Sequence, residues 1–370
     1  MRHLATIQTI AAIHPIPKAD NLEVATVLGW SVVVRKDENL KPGDKVVFFE
    51  IDSFLPVDDP RFEFLRKSCF RETTWQGSGF RIKTAKLRGQ ISQGLVVPVA
   101  KFPEIPPEAL AQDGHDVTEL LRVDKWDPTK GGTLQSSGLP RPGMVGTIIS
   151  DSKPDGIPTT DEIRLQTIPG ILEHFVGKPY YVTQKLDGTS VTVYVKDGKV
   201  GACSRRCEVS VDEVGPLTKV MRQHNLFELL PTLPERFPLM NVAVQGEFCG
   251  PGIQKNRLEL REMAWFVFDI FDLDQDRYLD LPDMVAVCDF LGLRRVPLVE
   301  QGERFPAEYT LDALLKKAET SEYGPGRPAE GIVVRTQQSL ALGAEDGWDA
   351  CAARGSFKVL NNKFLLKYDE

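Results

Sequence analysis

A lysine followed closely by an aspartate and a glycine is the feature of this sequence with the clearest chemical potential. Lys185-Leu186-Asp187-Gly188 lies between two segments that are predicted to be strands. A free lysine has a pKa of about 10.4 and is protonated at neutral pH, so it becomes a nucleophile only where neighbouring cations or a metal expose its lone pair. The pattern is short, and taken alone it equally fits a surface turn.

Five further motifs follow this lysine in order. They are Ser204-Arg205-Arg206, Gly246-Glu247-Phe248, Trp265–Asp269, Glu330–Arg335, and Lys358 with Lys363 beyond it. A lysine that attacks the α-phosphorus of a nucleoside triphosphate needs an aromatic plane for the base and an acidic group near the ribose. It also needs carboxylates that hold Mg²⁺ or Mn²⁺, and cations that neutralise phosphate charge. Each motif alone has an ordinary structural explanation, whereas their ordered occurrence favours this chemistry.

The elements that position the motifs differ along the chain, and the first 100 residues indicate short strands separated by turns. The predicted strands are Leu4–Ile10, Val24–Leu28, Trp30–Val34, Lys45–Ile51, Phe80–Lys86 and Gly94–Val99. Five or six short strands at this spacing predict a small antiparallel barrel. An OB-like barrel fits best, although the pattern does not separate it from an SH3-like one.

A change of composition over Trp126–Thr160, which holds six Gly and five Pro, predicts a linker. Beyond it the pattern is mixed. Predicted strands are Tyr180–Gln184, Ser190–Val195, Asn241–Gly246, Met263–Ile270, Gly331–Arg335 and Ser356–Leu360, and predicted helices cover Pro216–Leu230 and begin near Leu281 and Thr310. We therefore predict an α+β protein, with an OB-like β-barrel over residues 1–125, a linker over 126–160, and a mixed α/β domain built on antiparallel sheets over 161–370.

The charge of the chain is unevenly distributed. The net charge is −7, but residues 1–150 carry 19 basic and 18 acidic side chains, whereas 151–370 carry 26 and 34. The average argues against a simple polybasic nucleic-acid binder. Residues 61–90 nevertheless hold eight cations and two anions, interleaved with Phe62, Phe64, Phe70, Trp75 and Phe80. Such cations can follow phosphates, while the aromatic rings either stack on bases or fill the barrel.

Several classes of protein are disfavoured. No apolar run approaches the roughly 20 residues that span a bilayer, and polar positions interrupt residues 1–17, so neither a membrane span nor a signal peptide is predicted. Cys203 and Cys207 lack the companions of a zinc site, and the six cysteines are expected to be free thiols. A Walker-type loop and a GxGxxG motif are both missing from the sequence. We expect an intracellular, cytoplasmic protein.

The ordered motifs resemble those of the covalent nucleotidyltransferases, which comprise DNA ligases, RNA ligases and mRNA-capping enzymes. The stretch GEFCGPGIQK at 246–255 is most similar to RNA ligases that seal nicks in duplex RNA. The segments HPIPKADNLEVATVLGWSVVVRK, FFEIDSFLP and FRIKTAKLRGQISQGLVVPV resemble one subgroup, the Deinococcus/Naegleria-type ATP-dependent RNA ligase family. In that family an OB domain precedes the ligase domain. The resemblance covers nearly the whole chain except 126–155.

The resemblance implies a catalytic set. Lys185 would form the lysyl-AMP intermediate, and Asp187, Glu247 and Glu330 would organise the metal and its waters. Glu247 would also contact the ribose, and Lys358 would bind the α-phosphate and assist the departure of pyrophosphate.

A second set would bind the nucleotide. Trp265 would stack on adenine, Arg205 would touch AMP or the substrate ends, and Arg164, in the segment before the nucleophile, would contact phosphate. Gln184 and Gly188 flank the lysine. Many relatives place a second lysine two residues after the first in the last motif, where this sequence has Leu360. Either Lys363, or with less support Lys367, supplies that charge, or Lys358 suffices.

The implied reaction consumes ATP with Mg²⁺ or Mn²⁺ and joins a 3′-OH to a 5′-phosphate in nicked duplex RNA or an RNA/DNA hybrid. RNA is the implied partner, the chain is expected to be a monomer, and Arg81, Lys83, Lys86 and Arg88 are the predicted RNA contacts. Alternatives are a DNA ligase, a GTP-using capping guanylyltransferase, or a non-catalytic OB-type RNA-binding protein. The N-terminal OB-like region and the GPGIQ segment argue against the first two, and the intact KLDG argues against the third.

Overall fold

The computed structural model describes residues 3–127, 145–338 and 355–368. The chain forms two compact units. The first draws on Met1–Thr133, Gln166–Pro169 and Asn362–Glu370, and the second on Leu134–Leu165 and Gly170–Asn361. The segment predicted as a linker over 126–160 lies partly outside the described residues. Its later part contains a strand, Ile148–Ser150, that pairs with Glu208–Val209 in a sheet of the second unit. The division at 125 and 161 stays a prediction.

The first unit is built from antiparallel strands. They are β1 (Ala5–Pro15), β2 (Leu22–Val27), β3 (Trp30–Arg35), β4 (Lys45–Phe49), β5 (Ser53–Pro56), β6 (Phe70–Thr73), β7 (Gly77–Arg81), β8 (Ala85–Leu87), β9 (Gln90–Ser92), β10 (Leu95–Pro98) and β11 (Asp124–Lys125). One sheet has the order β10-β4-β1-β2-β3, a second has the order β11-β5-β7-β6, and β8 and β9 form a hairpin. A single turn of helix, α1 (Arg66–Cys69), precedes β6.

Alternating side chains explain how these strands enclose a core. Ile7, Val47 and Phe49 are buried in one cluster, and Trp30 and Phe48 in another, as expected when successive residues of a strand face opposite sides. The strand predicted over Phe80–Lys86 is divided, because β7 ends at Arg81 and β8 starts at Ala85.

The second unit contains the remaining strands. They are β12 (Ile148–Ser150), β13 (Tyr180–Lys185), β14 (Thr189–Lys196), β15 (Lys199–Cys203), β16 (Glu208–Val209), β17 (Val242–Cys249), β18 (Ala264–Asp272), β19 (Arg277–Tyr278), β20 (Arg294–Arg295), β21 (Leu298–Gly302), β22 (Glu322–Gly324), β23 (Arg327–Pro328), β24 (Gly331–Thr336) and β25 (Ser356–Leu360). The large sheet runs β12-β16-β15-β14-β17-β18-β19, with β20 added beside β18, and a second sheet runs β21-β13-β24-β25. The strands β22 and β23 form a separate hairpin.

The helices of the second unit are α2 (Ile171–Phe175), α3 (Pro216–Gln223), α4 (Leu226–Leu229), α5 (Leu281–Phe290) and α6 (Leu311–Glu319), and α7 (Asn362–Tyr368) belongs to the first unit. The helix predicted over Pro216–Leu230 is divided, because Asn225 adopts a left-handed conformation with φ of 49° that a continuing helix does not allow. The side chains of α3 and α5 pack on Val193 and Val244 of the large sheet in the main core. On the opposite face of that sheet, Tyr194, Ala243 and Phe271 form a smaller cluster with Ile157.

Candidate active site

The predicted nucleophile lies at the end of a strand in the smaller sheet. Lys185 is the last residue of β13 and is paired in register with Gly331, the first residue of β24. The residue before Gly331 is Glu330, and its Oε2 accepts a hydrogen bond from Lys185 Nζ at 2.6 Å. The two side chains are 23% and 19% exposed. Register alone therefore brings together two motifs that are 145 residues apart.

Two glycines let backbone from other strands approach this pair. A Cβ on Gly188 would lie 2.6 Å from Phe248 O and 2.9 Å from Glu247 Cγ, so only glycine allows the turn after Lys185 to rest on β17. Gly331 has a φ of 156°, and a Cβ there would lie 2.2 Å from Val359 O in β25. These approaches place Glu247, Asp187 and Glu330 around the lysine.

The carboxylates perturb one another and the lysine. Burial raises the pKa of Glu247 to about 8, even though the Lys185 ammonium opposes the shift. Burial and then repulsion from Glu330 raise the pKa of Asp187 to about 6. Burial by itself lowers the pKa of Lys185, but the carboxylates, Glu330 above all, outweigh it and raise that pKa. Strongly perturbed groups clustered in one place are typical of catalytic sites.

An arginine that was not predicted from the sequence adds a second cation to the site. Arg257 Nη1 donates to Asp187 Oδ2, and both side chains are largely buried. Arg257 follows three consecutive residues, Gln254, Lys255 and Asn256, that have φ between 42° and 59°. Left-handed backbone at non-glycine residues is costly and clusters at functional sites. In the sequence, Arg257 lies two residues beyond the segment GEFCGPGIQK that carries the resemblance to RNA ligases.

A tyrosine that was also missed joins the backbones of the two central residues. The Tyr323 hydroxyl donates to the carbonyl oxygen of Lys185 at 2.8 Å and accepts from the amide of Glu330 at 3.1 Å. Tyr323 lies on β22, and no motif in the sequence marks it.

The predicted phosphate-binding residues meet at the far strand of the smaller sheet. Arg164 forms a parallel bridge with Lys358, whose amide donates to the carbonyl of Ile163 at 2.8 Å. Lys358 is paired with Val333, and through it with Thr183. Thr183 and Lys185 are two residues apart on β13, so Lys358 and Lys185 share a face of the sheet. Leu360 is buried opposite Gly331. Lys363 lies on α7, which belongs to the first unit, and its role stays a prediction.

Two further predicted residues have protein partners. Arg205 forms an ion pair with Asp161, and both side chains are about half exposed. The side-chain amide of Gln184 donates to Glu322 O at 2.9 Å and to Ser321 Oγ at 3.2 Å. Gln184 therefore anchors the β22–β23 hairpin that carries Tyr323.

Trp265, the aromatic residue predicted to stack on adenine, faces the main core, and its neighbour Phe266 faces the site instead. Trp265 pairs with Phe248 across β17 and β18, is 2% exposed, and packs in the main core with Phe248. Phe266 pairs with Glu247, and residues directly opposite each other in a sheet share a face. The aromatic ring on the Glu247 face is therefore Phe266, which is partly buried beside Leu186.

The predicted RNA contacts in the first unit also divide. Arg81 is 6% exposed, and its guanidinium lies 5.3 Å from the centroid of the Trp126 ring and 3.6 Å from Asp52. The prediction that Arg81 contacts RNA is wrong, because its charge is buried against these partners. Lys83 is partly buried, whereas Lys86 and Arg88 are exposed on the β8–β9 hairpin. Arg88 has a φ of 51° and Gly89 a φ of 88°, which makes a tight turn at the tip.

The donor chemistry of the carboxylates fits a divalent cation. Asp187, Glu247 and Glu330 offer the oxygen ligands that Mg²⁺ and Mn²⁺ prefer. Within the described parts of the chain, no three acidic, thiol or imidazole groups already stand in coordinating geometry. Two of these carboxylates are turned towards cations, Asp187 towards Arg257 and Glu330 towards Lys185. A metal would replace those cations in part.

The fold and site define a class: an OB-fold unit combined with a unit whose partly buried lysine is surrounded by three carboxylates, as in covalent nucleotidyltransferases. A profile for an OB-fold domain matches residues 4–99, and the RNA ligase family profile matches residues 178–360. The structure is similar to that of Naegleria gruberi RNA ligase with pyrophosphate, at 33% identity and a TM-score of 0.82, covering 100% of this chain and 99% of that one. The chain belongs to the RNA ligase family.

Two mutant structures of the same Naegleria ligase are equally informative. One with ATP and Mn has 33% identity and a TM-score of 0.82 and covers 100% of both chains. One with AMP and Mn has 33% identity and a TM-score of 0.81, covering 100% of this chain and 99% of that one. No curated protein gives a significant match.

The comparisons confirm the predicted fold class and family. Membership of the RNA ligase family argues against the two alternatives of a GTP-using capping enzyme and a non-catalytic RNA-binding protein. Among the described residues, no helix combines the length and apolar character needed to cross a membrane.

Proposed function

We propose that this chain is an ATP-dependent RNA ligase that joins 3′-OH and 5′-phosphate ends at nicks in duplex RNA or RNA/DNA hybrids. The observation that carries the proposal is the partly buried Lys185, held 2.6 Å from Glu330 within a set of three carboxylates. ATP as the nucleotide is supported by the similar Naegleria structures, which contain ATP, AMP or pyrophosphate.

In the first step Lys185 is the nucleophile. Its Nζ loses a proton, for which Glu330 Oε2 is the nearest acceptor, and forms a bond to the α-phosphorus of ATP. The bond from that phosphorus to the bridging oxygen breaks, and pyrophosphate leaves. Asp187, Glu247 and Glu330 would hold a divalent cation, which would supply charge neutralisation at the phosphates and would weaken the hold of these carboxylates on the lysine proton.

Other residues orient the nucleotide in this step. Arg164 and Lys358, joined by their backbone bridge, are suited to the α-phosphate. Phe266 offers the aromatic face for adenine, and Glu247 on the same face is placed for the ribose. Their contribution is alignment and charge neutralisation, which account for most catalysis of phosphoryl transfer.

The second and third steps move AMP to RNA and then release it. A 5′-phosphate oxygen attacks the lysyl-AMP phosphorus, and the N–P bond breaks as Lys185 recovers its proton. The 3′-OH then attacks the activated 5′-phosphorus, the phosphodiester forms, and AMP leaves. Arg205 is suited to the substrate ends, and Lys86 and Arg88 on the exposed hairpin to the RNA backbone. We expect the chain to act as a monomer.

The test compares matched nicked duplexes with RNA or DNA on each side of the nick, with ATP or GTP. We expect sealing with ATP when the 3′-OH strand is RNA, and labelled AMP on the protein before RNA is added. Sealing with GTP alone, or preferential sealing of all-DNA nicks, would contradict the proposal.

A further inference from the structure

The Tyr323 hydroxyl occupies the point at which the ladder between the two central strands ends. The last pair of β13 and β24 is Lys185 with Gly331. Beyond it, Lys185 offers a carbonyl oxygen and Glu330 an amide, and the hydroxyl of Tyr323 bonds to both, at 2.8 Å and 3.1 Å. One oxygen atom thus extends the ladder across the two residues that carry the chemistry.

The position of the Tyr323 hydroxyl is fixed by the packing of its ring and by the anchoring of its hairpin. The ring packs with Leu186, Cys249 and Val296, and the β22–β23 hairpin behind it is fixed by the side-chain amide of Gln184. Burial raises the pKa of Tyr323, so the hydroxyl stays protonated and keeps its donor at every pH in ordinary use. Its two hydrogen bonds are therefore a fixed geometric constraint.

Lys185 and Glu330 are joined by an ion pair between their side chains and by hydrogen bonds between their backbones and Tyr323. Only the ion pair has to break during the reaction. The ion pair between Nζ and Oε2 must break when Nζ turns to the α-phosphorus. The two hydrogen bonds of the Tyr323 hydroxyl involve only backbone atoms of Lys185 and Glu330, and the reaction does not require them to break. They keep the two backbones in register at the moment when the side chains separate.

We propose that Tyr323 is a positioning residue for lysine adenylylation, whose hydroxyl fixes the backbone of the nucleophile against that of Glu330. This role rests on the proposed lysyl-AMP pathway. It is specific to the step in which Nζ attacks, because an error of about 1 Å in a reacting group costs on the order of 100-fold in rate. Joining of RNA that already carries AMP does not use Lys185 as a nucleophile and is expected to depend less on the two hydrogen bonds of Tyr323.

The test uses the full chain and two single-turnover assays. The first follows lysyl-AMP formation from labelled ATP with Mg²⁺, and the second follows sealing of a nicked duplex RNA that is already adenylated. Tyr323→Phe removes one hydroxyl and keeps the ring. The matched control is Tyr194→Phe, which removes a buried hydroxyl that donates to Glu208, away from Lys185.

We expect Tyr323→Phe to slow lysyl-AMP formation by about 10- to 100-fold at saturating ATP. The ATP concentration for half-maximal rate should change by less than about twofold, and sealing of adenylated RNA by less than about threefold. Tyr194→Phe should leave both rates unchanged. If Tyr323→Phe formed lysyl-AMP at the wild-type rate, or if its rates fell equally in both assays, this role for Tyr323 would be overturned.

A second variant keeps the test valid if Tyr323→Phe does not fold. Ser321→Ala removes one acceptor of the Gln184 amide and loosens the hairpin, and we expect a loss of about two- to fivefold in the first assay only. Equal loss in both assays overturns the role. If the wild-type chain forms no lysyl-AMP, the proposed function fails and this role fails with it, whereas a wild-type adduct with an unaffected Tyr323→Phe overturns the role alone.

Discussion

The basic segment of the first unit and the candidate active site of the second unit handle charge in opposite ways. In the first unit, cations of the basic segment are matched by nearby acids: Arg61 pairs with Asp59 and Glu104, each at 2.6 Å, and Arg66 pairs with Glu63. In the second unit, three partly buried carboxylates share the cations Lys185 and Arg257. The outcome is visible in the pKa values, which fall for Asp59 and rise for Glu247 and Asp187.

The difference separates charges that stabilise a fold from charges that await a ligand. A matched pair lowers the free energy of the folded state modestly and needs nothing else. A partly buried cluster with more carboxylates than cations costs free energy, and a divalent cation that neutralises it recovers that cost on binding. The pairs Arg61–Asp59 and Arg66–Glu63 are local in the sequence, whereas the cations beside Glu330 and Asp187 come from distant parts of the chain. The site cluster therefore cannot be recognised from neighbouring positions in the sequence.

The strongest test of the comparison removes one carboxylate from each unit. Glu247→Gln should slow lysyl-AMP formation by about 100- to 1,000-fold, because the site loses an anionic ligand. Asp59→Asn should leave that rate unchanged. It should lower the melting temperature by about a few degrees, because the variant loses a partly buried ion pair. Single-turnover adenylylation and thermal melting measure the two effects. Equal loss of activity in both variants would contradict the distinction.

The two faces of β18 offer the next largest contrast. Phe266→Ala should raise the KM for ATP about tenfold, since stacking on a base contributes about 1–3 kcal/mol. Trp265→Phe should leave the KM unchanged and lower the melting temperature, because it opens a cavity in the core. Steady-state kinetics over a range of ATP concentrations decide between them, and a larger change in KM for Trp265→Phe would restore the original stacking prediction.

A smaller effect is expected on the exposed hairpin of the first unit. Replacing Lys86 and Arg88 with Ala should weaken binding of duplex RNA about three- to tenfold and reduce the slope of log affinity against log salt by about two, one per lost phosphate contact. Lysyl-AMP formation should not change. Arg81→Ala is the control, which should destabilise the fold without altering the salt slope. Binding titrations at several salt concentrations provide the measurement.

The smallest expected effect is a pH dependence of stability in the absence of metal. The pKa values of Asp187 and Glu247 in the folded chain, about 6 and about 8, lie above their ordinary values. The folded state therefore binds protons more tightly than the unfolded state, and the stability contributed by these protons is lost as pH rises towards 8. Glu247→Gln removes the larger contribution.

The corresponding measurement is the melting temperature of wild type and Glu247→Gln between pH 5 and pH 8.5. The wild type should lose on the order of 5 °C relative to the variant over this range, and Mg²⁺ should reduce the difference. A constant difference across the range would show that Glu247 is not held with a raised pKa.

The sequence was sufficient for the sites whose geometry follows from strand register. Lys185, Glu330 and Lys358 each lie in or beside short apolar strands, and pairing those strands antiparallel brings the three together. The predicted OB-like region was likewise recognisable from the spacing of its strands and turns.

Other residues depended on information that the sequence does not contain. Trp265 and Phe266 are adjacent aromatics, and which of them shares a face with Glu247 depends on a register shift between Gln245 and Gly246. Arg81 and Arg257 are cations whose partners, Asp52 and Asp187, are far away along the chain. Tyr323 acts through its hydroxyl on two backbones, and a contact of that kind leaves no spacing pattern.

The most direct measurement of the central claim is to locate the nucleotide on the protein. The full chain is incubated with ATP and Mg²⁺ without RNA, digested, and examined by mass spectrometry for a peptide carrying AMP. The account predicts a single adduct on Lys185, lost in Lys185→Ala and removed when pyrophosphate is added. An adduct on another residue, or an undiminished adduct in Lys185→Ala, would contradict it.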